Sequence, residues 1–139
     1  MTGSFEVGSV EETWALASRF ADELKSGDVV CLEGDLGAGK TTFTQGLAAA
    51  LGVDGRVTSP TFYLVQEHRG RSTYLVHMDL YRLHGAEDVV AIGWEDYLAA
   101  GAIIVVEWPE RAGSLVPAAA RHIVFTHLDG EERRLIKFG

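Results

Sequence analysis

Asp28-Val29-Val30-Cys31-Leu32-Glu33, followed by Gly34-Asp35-Leu36-Gly37-Ala38-Gly39-Lys40-Thr41, is the stretch that decides the fold. Its first half is a short apolar run, read as a buried strand entering glycine-rich sequence. Its second half matches the phosphate-binding pattern G-x-x-x-x-G-K-[ST] in full. The glycines permit backbone angles that other residues resist, so amide groups can curl around an anion. A helix expected over Lys40 to Leu51, with Gly52 as its C-cap, aims its positive end at the same place. Gly34, Asp35, Leu36, Gly37, Ala38, Gly39, Lys40, Thr41 and Thr42 are therefore the candidate phosphate-binding residues. Lys40 suits the β- and γ-phosphates, and the Thr41 hydroxyl suits Mg²⁺.

Working outward, Gly3 to Ser9 reads as a short strand or an extended lead-in. Ser9 has the chemistry of an N-cap, and Glu11 and Glu12 favour the positive end of a helix predicted over Val10 to Lys25 and ended by Gly27. Beyond the cradle, Thr58-Ser59-Pro60-Thr61 is a polar loop. Phe62 to Gln66 and Thr73 to Met78 read as strands joined by the turn-like segment 67–72. Short helices are expected over His84 to Gly93 and Trp94 to Ala100. Ala102 to Val106 is a fully apolar strand ending at Glu107. Arg121 to Leu128 and Arg133 to Phe138 alternate apolar and polar residues around Asp129-Gly130, as a terminal β-hairpin does. Strands alternating with helices, one strand wholly apolar, imply an α/β fold of P-loop NTPase type in three layers. Its central sheet is mostly parallel, with antiparallel strands at the edge.

Bulk composition narrows the function. The 139 residues fit one domain with one core, so 1–139 is read as a single P-loop domain. Hydrophobic residues make up 47% and charged residues 23%, as in ordinary globular proteins. No apolar stretch is long enough to span a membrane. The polar, acidic first residues lack the features of a secretory signal, and the single cysteine, Cys31, excludes an internal disulfide; both point to the cytoplasm. The net charge of −8 argues against tight nucleic-acid binding by this chain alone. Scattered arginines, Arg69, Arg71, Arg133 and Arg134, make no long basic run. His122 and His127 have no partner at metal-ligand spacing.

A phosphate cradle hydrolyses nothing unless carboxylates nearby hold a metal and order water. Asp79 follows the run Tyr74 to Met78, and Glu107 follows Ala102 to Val106. An acid directly after a buried strand sits where open α/β sheets bind ligands, or marks only where the strand meets solvent. The chain contains no asparagine, so the Asn-Lys-x-Asp element of guanine-specific GTPases is absent, and ATP is the expected nucleotide. Trp108 is expected in the core, with packing over the nucleotide as the alternative. His77 is read either as a core histidine or as part of the site edge or a partner surface.

Several motifs taken together resemble the TsaE (YjeE) family of P-loop ATPases, and the likeness runs nearly the whole length. They are GDLGAGKTTF at Gly34 to Phe43, TSPTF at Thr58 to Phe62, HMDLYRL at His77 to Leu83, GWEDYL at Gly93 to Leu98 and EWPER at Glu107 to Arg111. Trp94-Glu95 is a mild departure. The resemblance implies ATP binding and slow hydrolysis in support of TsaB and TsaD. In that system threonylcarbamoyl is transferred to adenosine 37 of tRNAs reading codons that begin with A, so tRNA is met only through the complex. It further implies catalytic roles for Lys40, Asp79 and Glu107, magnesium at Thr41 and Glu107, and a γ-phosphate-sensing loop at Thr58 to Phe62. Thr13, and either Arg133 or Arg134, are the outlying candidates for nucleotide contact, against a plain helix start and a solvated strand face. Two other functions share the cradle. One is a small-molecule kinase, although no arginine-rich lid segment stands out; the other is a non-hydrolysing nucleotide switch.

Overall fold

The computed structural model describes residues 1–35, 37–53, 64–130 and 132–139. The expected loop at Thr58 to Thr61, and Phe62 with it, lies outside them, as does Leu36. The apolar runs form one sheet of seven strands: β1 (Gly3–Val7), β2 (Val29–Gly34), β3 (Val65–Arg69), β4 (Tyr74–Asp79), β5 (Ile103–Glu107), β6 (Arg121–His127) and β7 (Arg134–Phe138). Their spatial order is β1-β7-β6-β2-β5-β4-β3. The four central strands are mutually parallel, while β1, β7 and β3 pair antiparallel at the two edges. This is the α/β architecture expected from the sequence.

Alternation along the strands divides the core in two. On one face Val30, Leu32, Leu75, Val105 and Ile123 pack under α1 (Val10–Ala21) and α2 (Lys40–Ala50). On the other, Val29, Cys31, Val76, Met78 and Ile104 pack under α3 (Ala86–Ala91) and α4 (Trp94–Ala99). The runs Val29 to Leu32 of β2 and Ile103 to Val106 of β5 are apolar because both their faces are covered.

The sequence-predicted bounds need two corrections. Helix α1 starts as expected: Ser9 caps it by accepting from the Glu12 amide, and Glu12 accepts in return from the Gly8 amide. It ends at Ala21, however, four residues short of Lys25. There the Glu23 and Leu24 amides turn back to Phe20 and Ala21, and the Lys25 amide goes to the Asp28 carboxylate. Strand β3 starts at Val65 and runs through Glu67, His68 and Arg69, which the sequence had assigned to the turn. These polar residues are tolerated because β3 is an edge strand. Glu67 takes hydrogen bonds from the Tyr74 and Tyr97 hydroxyls, and the Arg69 guanidinium lies over the Tyr74 ring. That carboxylate and burial together push the Tyr74 phenol up to about 12, burial being the larger cause.

Helices α1 and α2 touch where α2 carries Gly46. A Cβ there would stand 2.9 Å from both the backbone and the ring of Trp14. Alanine is normally the better helix former by about 1 kcal/mol, but here the backbone contact forbids it. Gly46→Ala is expected to destabilise the protein by about 1–3 kcal/mol in urea or thermal unfolding, as overpacking of a tight contact does.

Candidate functional site

Strand β2 ends at Gly34, which lies opposite Phe125 of β6. A Cβ on Gly34 would sit 2.5 Å from the Phe125 carbonyl oxygen, so only glycine allows the chain to leave the sheet here. Gly37 and Gly39 follow with left-handed φ of 79° and 105°, and Gly39 is the residue from which α2 springs. The turn is thus folded back over the first turn of α2, whose Lys40, Thr41 and Thr42 amides have no partner within the helix.

This turn opens into a cavity of about 860 Å³. Gly34, Asp35, Gly37, Gly39, Lys40, Thr41 and Thr42 line its floor. Asp79 and Glu107 close one side, where β4 and β5 end side by side in register. Ser9, Val10 and Thr13, from the start of α1, form the other side with Glu132 and Arg134. Three parallel strands thus deliver a glycine, an aspartate and a glutamate to one place because each ends at the same edge of the sheet.

Glu107 is 93% buried, that is 7% exposed. Its Oε2 lies 2.8 Å from Nε2 of His77, and its Oε1 lies 3.5 Å from Nζ of Lys40. Burial pushes the carboxyl up, but the hydrogen bond and charge of His77 and the Lys40 ammonium outweigh it. The net direction is down, so the group is a carboxylate near neutral pH. Lys40 also donates to the Gly34 carbonyl at 2.6 Å. The ammonium is held over the mouth of the glycine turn, where an arriving anion would meet it. Asp79 is tied by one oxygen to the Tyr81 amide at 3.0 Å.

Of the candidates from sequence, Gly34, Asp35, Gly37, Gly39, Lys40, Thr41, Thr42, Asp79, Glu107 and Thr13 are brought together around the cavity. Thr13 is buried, and its hydroxyl goes to the Ser9 carbonyl. Ala38 is buried in the core beneath the turn. Arg133 is not brought to the cavity: it points along the hairpin to pair with Glu6 on β1. Its neighbour Arg134 is there instead, donating to the Gly37 carbonyl at 3.2 Å. At the entry to β7 the two adjacent arginines go different ways, Arg133 to Glu6 and Arg134 to Gly37, a distinction available only once the register is known.

Trp108 also departs from expectation. It is 38% exposed and lines the cavity, with its ring 4.9 Å from that of Tyr81, itself 56% exposed. Its backbone is left-handed, with φ 57°. For a bulky residue this costs on the order of 1–3 kcal/mol and clusters at functional sites.

Comparison with known proteins bears on this geometry. The family described as "Threonylcarbamoyl adenosine biosynthesis protein TsaE" matches residues 7–136. A protein of Bacillus subtilis named tRNA threonylcarbamoyladenosine biosynthesis protein TsaE is 40% identical over 126 residues, which cover 90% of this chain and 78% of that one. Its namesake in Mycobacterium leprae is 43% identical over 122 residues, covering 82% and 74%. The crystal structure of Bacillus subtilis YdiB superposes with a TM-score of 0.82 at 33% identity, over 99% of this chain and 84% of that chain.

A carboxyl whose folded-state position is lowered stabilises the fold above its unfolded value and ceases to as the pH falls through the lowered one. Glu107→Gln is therefore expected to unfold with a flatter dependence on pH below the ordinary value of 4.5 than the parent. Urea titrations at neutral pH and in acid measure the difference between the two proteins, and equal slopes would contradict the pairing.

Proposed function

This chain belongs to the TsaE family, and from that premise we propose that it binds and hydrolyses ATP as the nucleotide-dependent subunit of tRNA threonylcarbamoyladenosine biosynthesis. It acts with TsaB and TsaD, which modify adenosine 37 of tRNAs reading codons that begin with A. The observation that carries this reading is the convergence of Lys40, Glu107 and Asp79 on a glycine turn at one edge of a parallel sheet.

The chemistry follows from the residues. Amides of the turn and of the first turn of α2 surround the β-phosphate and cost no reorganisation, since the backbone already holds them. Lys40 exchanges the Gly34 carbonyl and Glu107 for phosphate oxygens. The residues present fit a magnesium ion, because a buried, ionised Glu107 and the hydroxyl-bearing Thr41 line one cavity. Bound there, the ion would offset charge on the terminal phosphates. Asp79, fixed by the Tyr81 amide, is placed to orient the attacking water. The acidic chain meets tRNA only through its partners, in keeping with its net charge of −8. No helix among the described residues is long and apolar enough to cross a membrane.

Lys40→Ala is expected to abolish ATP binding or turnover. Glu107→Ala is expected to lower kcat by about 10²-fold or more and to cut hydrolysis more than nucleotide binding, with binding in EDTA left intact, since it removes charge stabilisation at the reacting group. Phosphate release is measured alone and with TsaB and TsaD, with tRNA modification followed in parallel. Undiminished ATPase activity in Lys40→Ala would defeat the assignment. Phosphate appearing on an added metabolite instead of in solution would identify a kinase.

A further inference from the structure

His77 is fully buried on β4, two residues before Asp79 and on the same face of the sheet. It lies in register between Val105 of β5 and Gln66 of β3, and its neighbour on that face of β4 is Leu75. A side chain needed there only to fill space would be apolar, like Val105 and Leu75. Instead the position holds an imidazole with one polar tie among the described residues. Nε2 lies 2.8 Å from Oε2 of Glu107, and Nδ1 is buried with no hydrogen-bond partner among the described residues. Burying an imidazole with one nitrogen unpaired is unfavourable, and such groups in native folds call for an explanation outside packing. An ionised carboxylate only accepts, so Nε2 carries the hydrogen and donates it.

The other oxygen of Glu107 faces Lys40 across 3.5 Å. The two oxygens are therefore held by groups of different kinds. Lys40 is a flexible ammonium at the cavity floor that a phosphate can draw away; His77 is a ring locked between strands. Resting on the proposed role of Glu107, we infer that His77 is a positioning residue. It pins Oε2 from beneath, so that Oε1 alone is presented to the cavity, at a fixed angle, once Lys40 turns to phosphate. The carboxylate then contributes one oxygen in one orientation, with no rotamer search in the nucleotide-bound state. Groups of this kind behind a metal-binding carboxylate typically govern affinity for the ion without touching it.

The test compares His77→Phe, which keeps the ring volume and removes the donor, with His77→Gln, whose amide nitrogen reaches the place of Nε2. Affinity for a fluorescent ATP analogue is measured in EDTA and in Mg²⁺, beside kcat and KM. In EDTA, His77→Phe is expected to match the parent within about twofold. The gain in affinity on adding Mg²⁺, and kcat, are expected to fall by about 10- to 100-fold, the usual effect of losing such a support, with KM in Mg²⁺ rising as that gain is lost. His77→Gln should recover most of both. Should His77→Phe fail to fold, His77→Asn replaces it: its shorter amide falls short of Oε2 and should lose the Mg²⁺ response that His77→Gln keeps.

A nucleotide-free readout stands beside these. The Nε2-bound proton of His77 is expected to give an exchange-protected NMR signal that moves in Glu107→Gln. A parental Mg²⁺ response in His77→Phe, or equal loss in His77→Phe and His77→Gln, would overturn the inference. Absence of turnover in the parent itself would strike the proposed function instead, and the imidazole signal would still report on the contact.

Discussion

The structure turns on one buried charge. Glu107 sits at the end of β5 with 7% of its surface exposed, and among the described residues it is His77 and Lys40 that keep it ionised there. A carboxylate in such a place is tolerable only where a cation and a hydrogen-bond donor meet it in good geometry. That requirement fixes three elements at once. β4 must run parallel to β5 to put His77 beneath it, β2 must lie on the other side of β5 to bring the glycine turn close, and α2 must begin directly after that turn so that Lys40 reaches across. The parallel order β2-β5-β4 is therefore both the scaffold of the site and the reason its charges are affordable. In the free protein Lys40 is also occupied, by Glu107 and by the Gly34 carbonyl, so an incoming phosphate competes with internal partners.

The same strand ends place aromatic surface at the acidic side of the cavity. Trp108 follows Glu107 directly, and Tyr81 follows Asp79 by two residues. With the chain leaving β5 in a left-handed conformation, the Trp108 ring turns toward Tyr81 and the cavity, away from the core where tryptophan is usually found. The Arg111 guanidinium lies 5.9 Å from the Trp108 ring, and Pro109 is buried behind it, so the strained backbone is held from both sides. A nucleotide's terminal phosphate, at Lys40 and Glu107, would lie next to this exposed pair. Any surface that rests on Tyr81 and Trp108 would therefore border the cavity that Lys40 and Glu107 line.

How much of this was legible in the sequence depended on whether the signal was local. The glycine turn, the apolar strand before it and the Ser9 cap are local, since each follows from residue types within a few positions. The acids that end β4 and β5 were legible because strands ending in a carboxylate are themselves a pattern. The choice between Arg133 and Arg134 was not legible, since only the pairing of β7 with β1 and β6 shows which of two neighbours faces the turn. The exposure of Trp108 was hidden for a related reason: composition places tryptophan inside, and its backbone angle is set by tertiary contacts. His77 was read as ambiguous because its meaning lies in a residue 30 positions away. The end of α1 was misjudged where the Asp28 carboxylate captures the Lys25 amide, a contact that helical periodicity does not see.

The close contact of α1 with α2 links the far side of the cavity to the cradle. α1 contributes Ser9, Val10 and Thr13 to the wall, while α2 supplies Lys40, Thr41 and Thr42 to the floor. Gly46 lets the two helices approach until Trp14 touches the α2 backbone position, and Ala17 packs beside it. Any side chain at Gly46 would push α1 outward, carrying Thr13 with it, although no residue of the cradle had changed. The distance between wall and floor is thus set about two turns beyond the phosphate site by the absence of a single carbon. Beneath that contact Phe20, Phe43 and Phe138 pack ring against ring, tying both helices to the β7 strand that holds Arg134. One aromatic cluster thereby fixes the relative positions of the helix that begins at the cradle, the helix that forms the wall and the arginine that contacts Gly37. The cavity keeps its shape because its walls share a core.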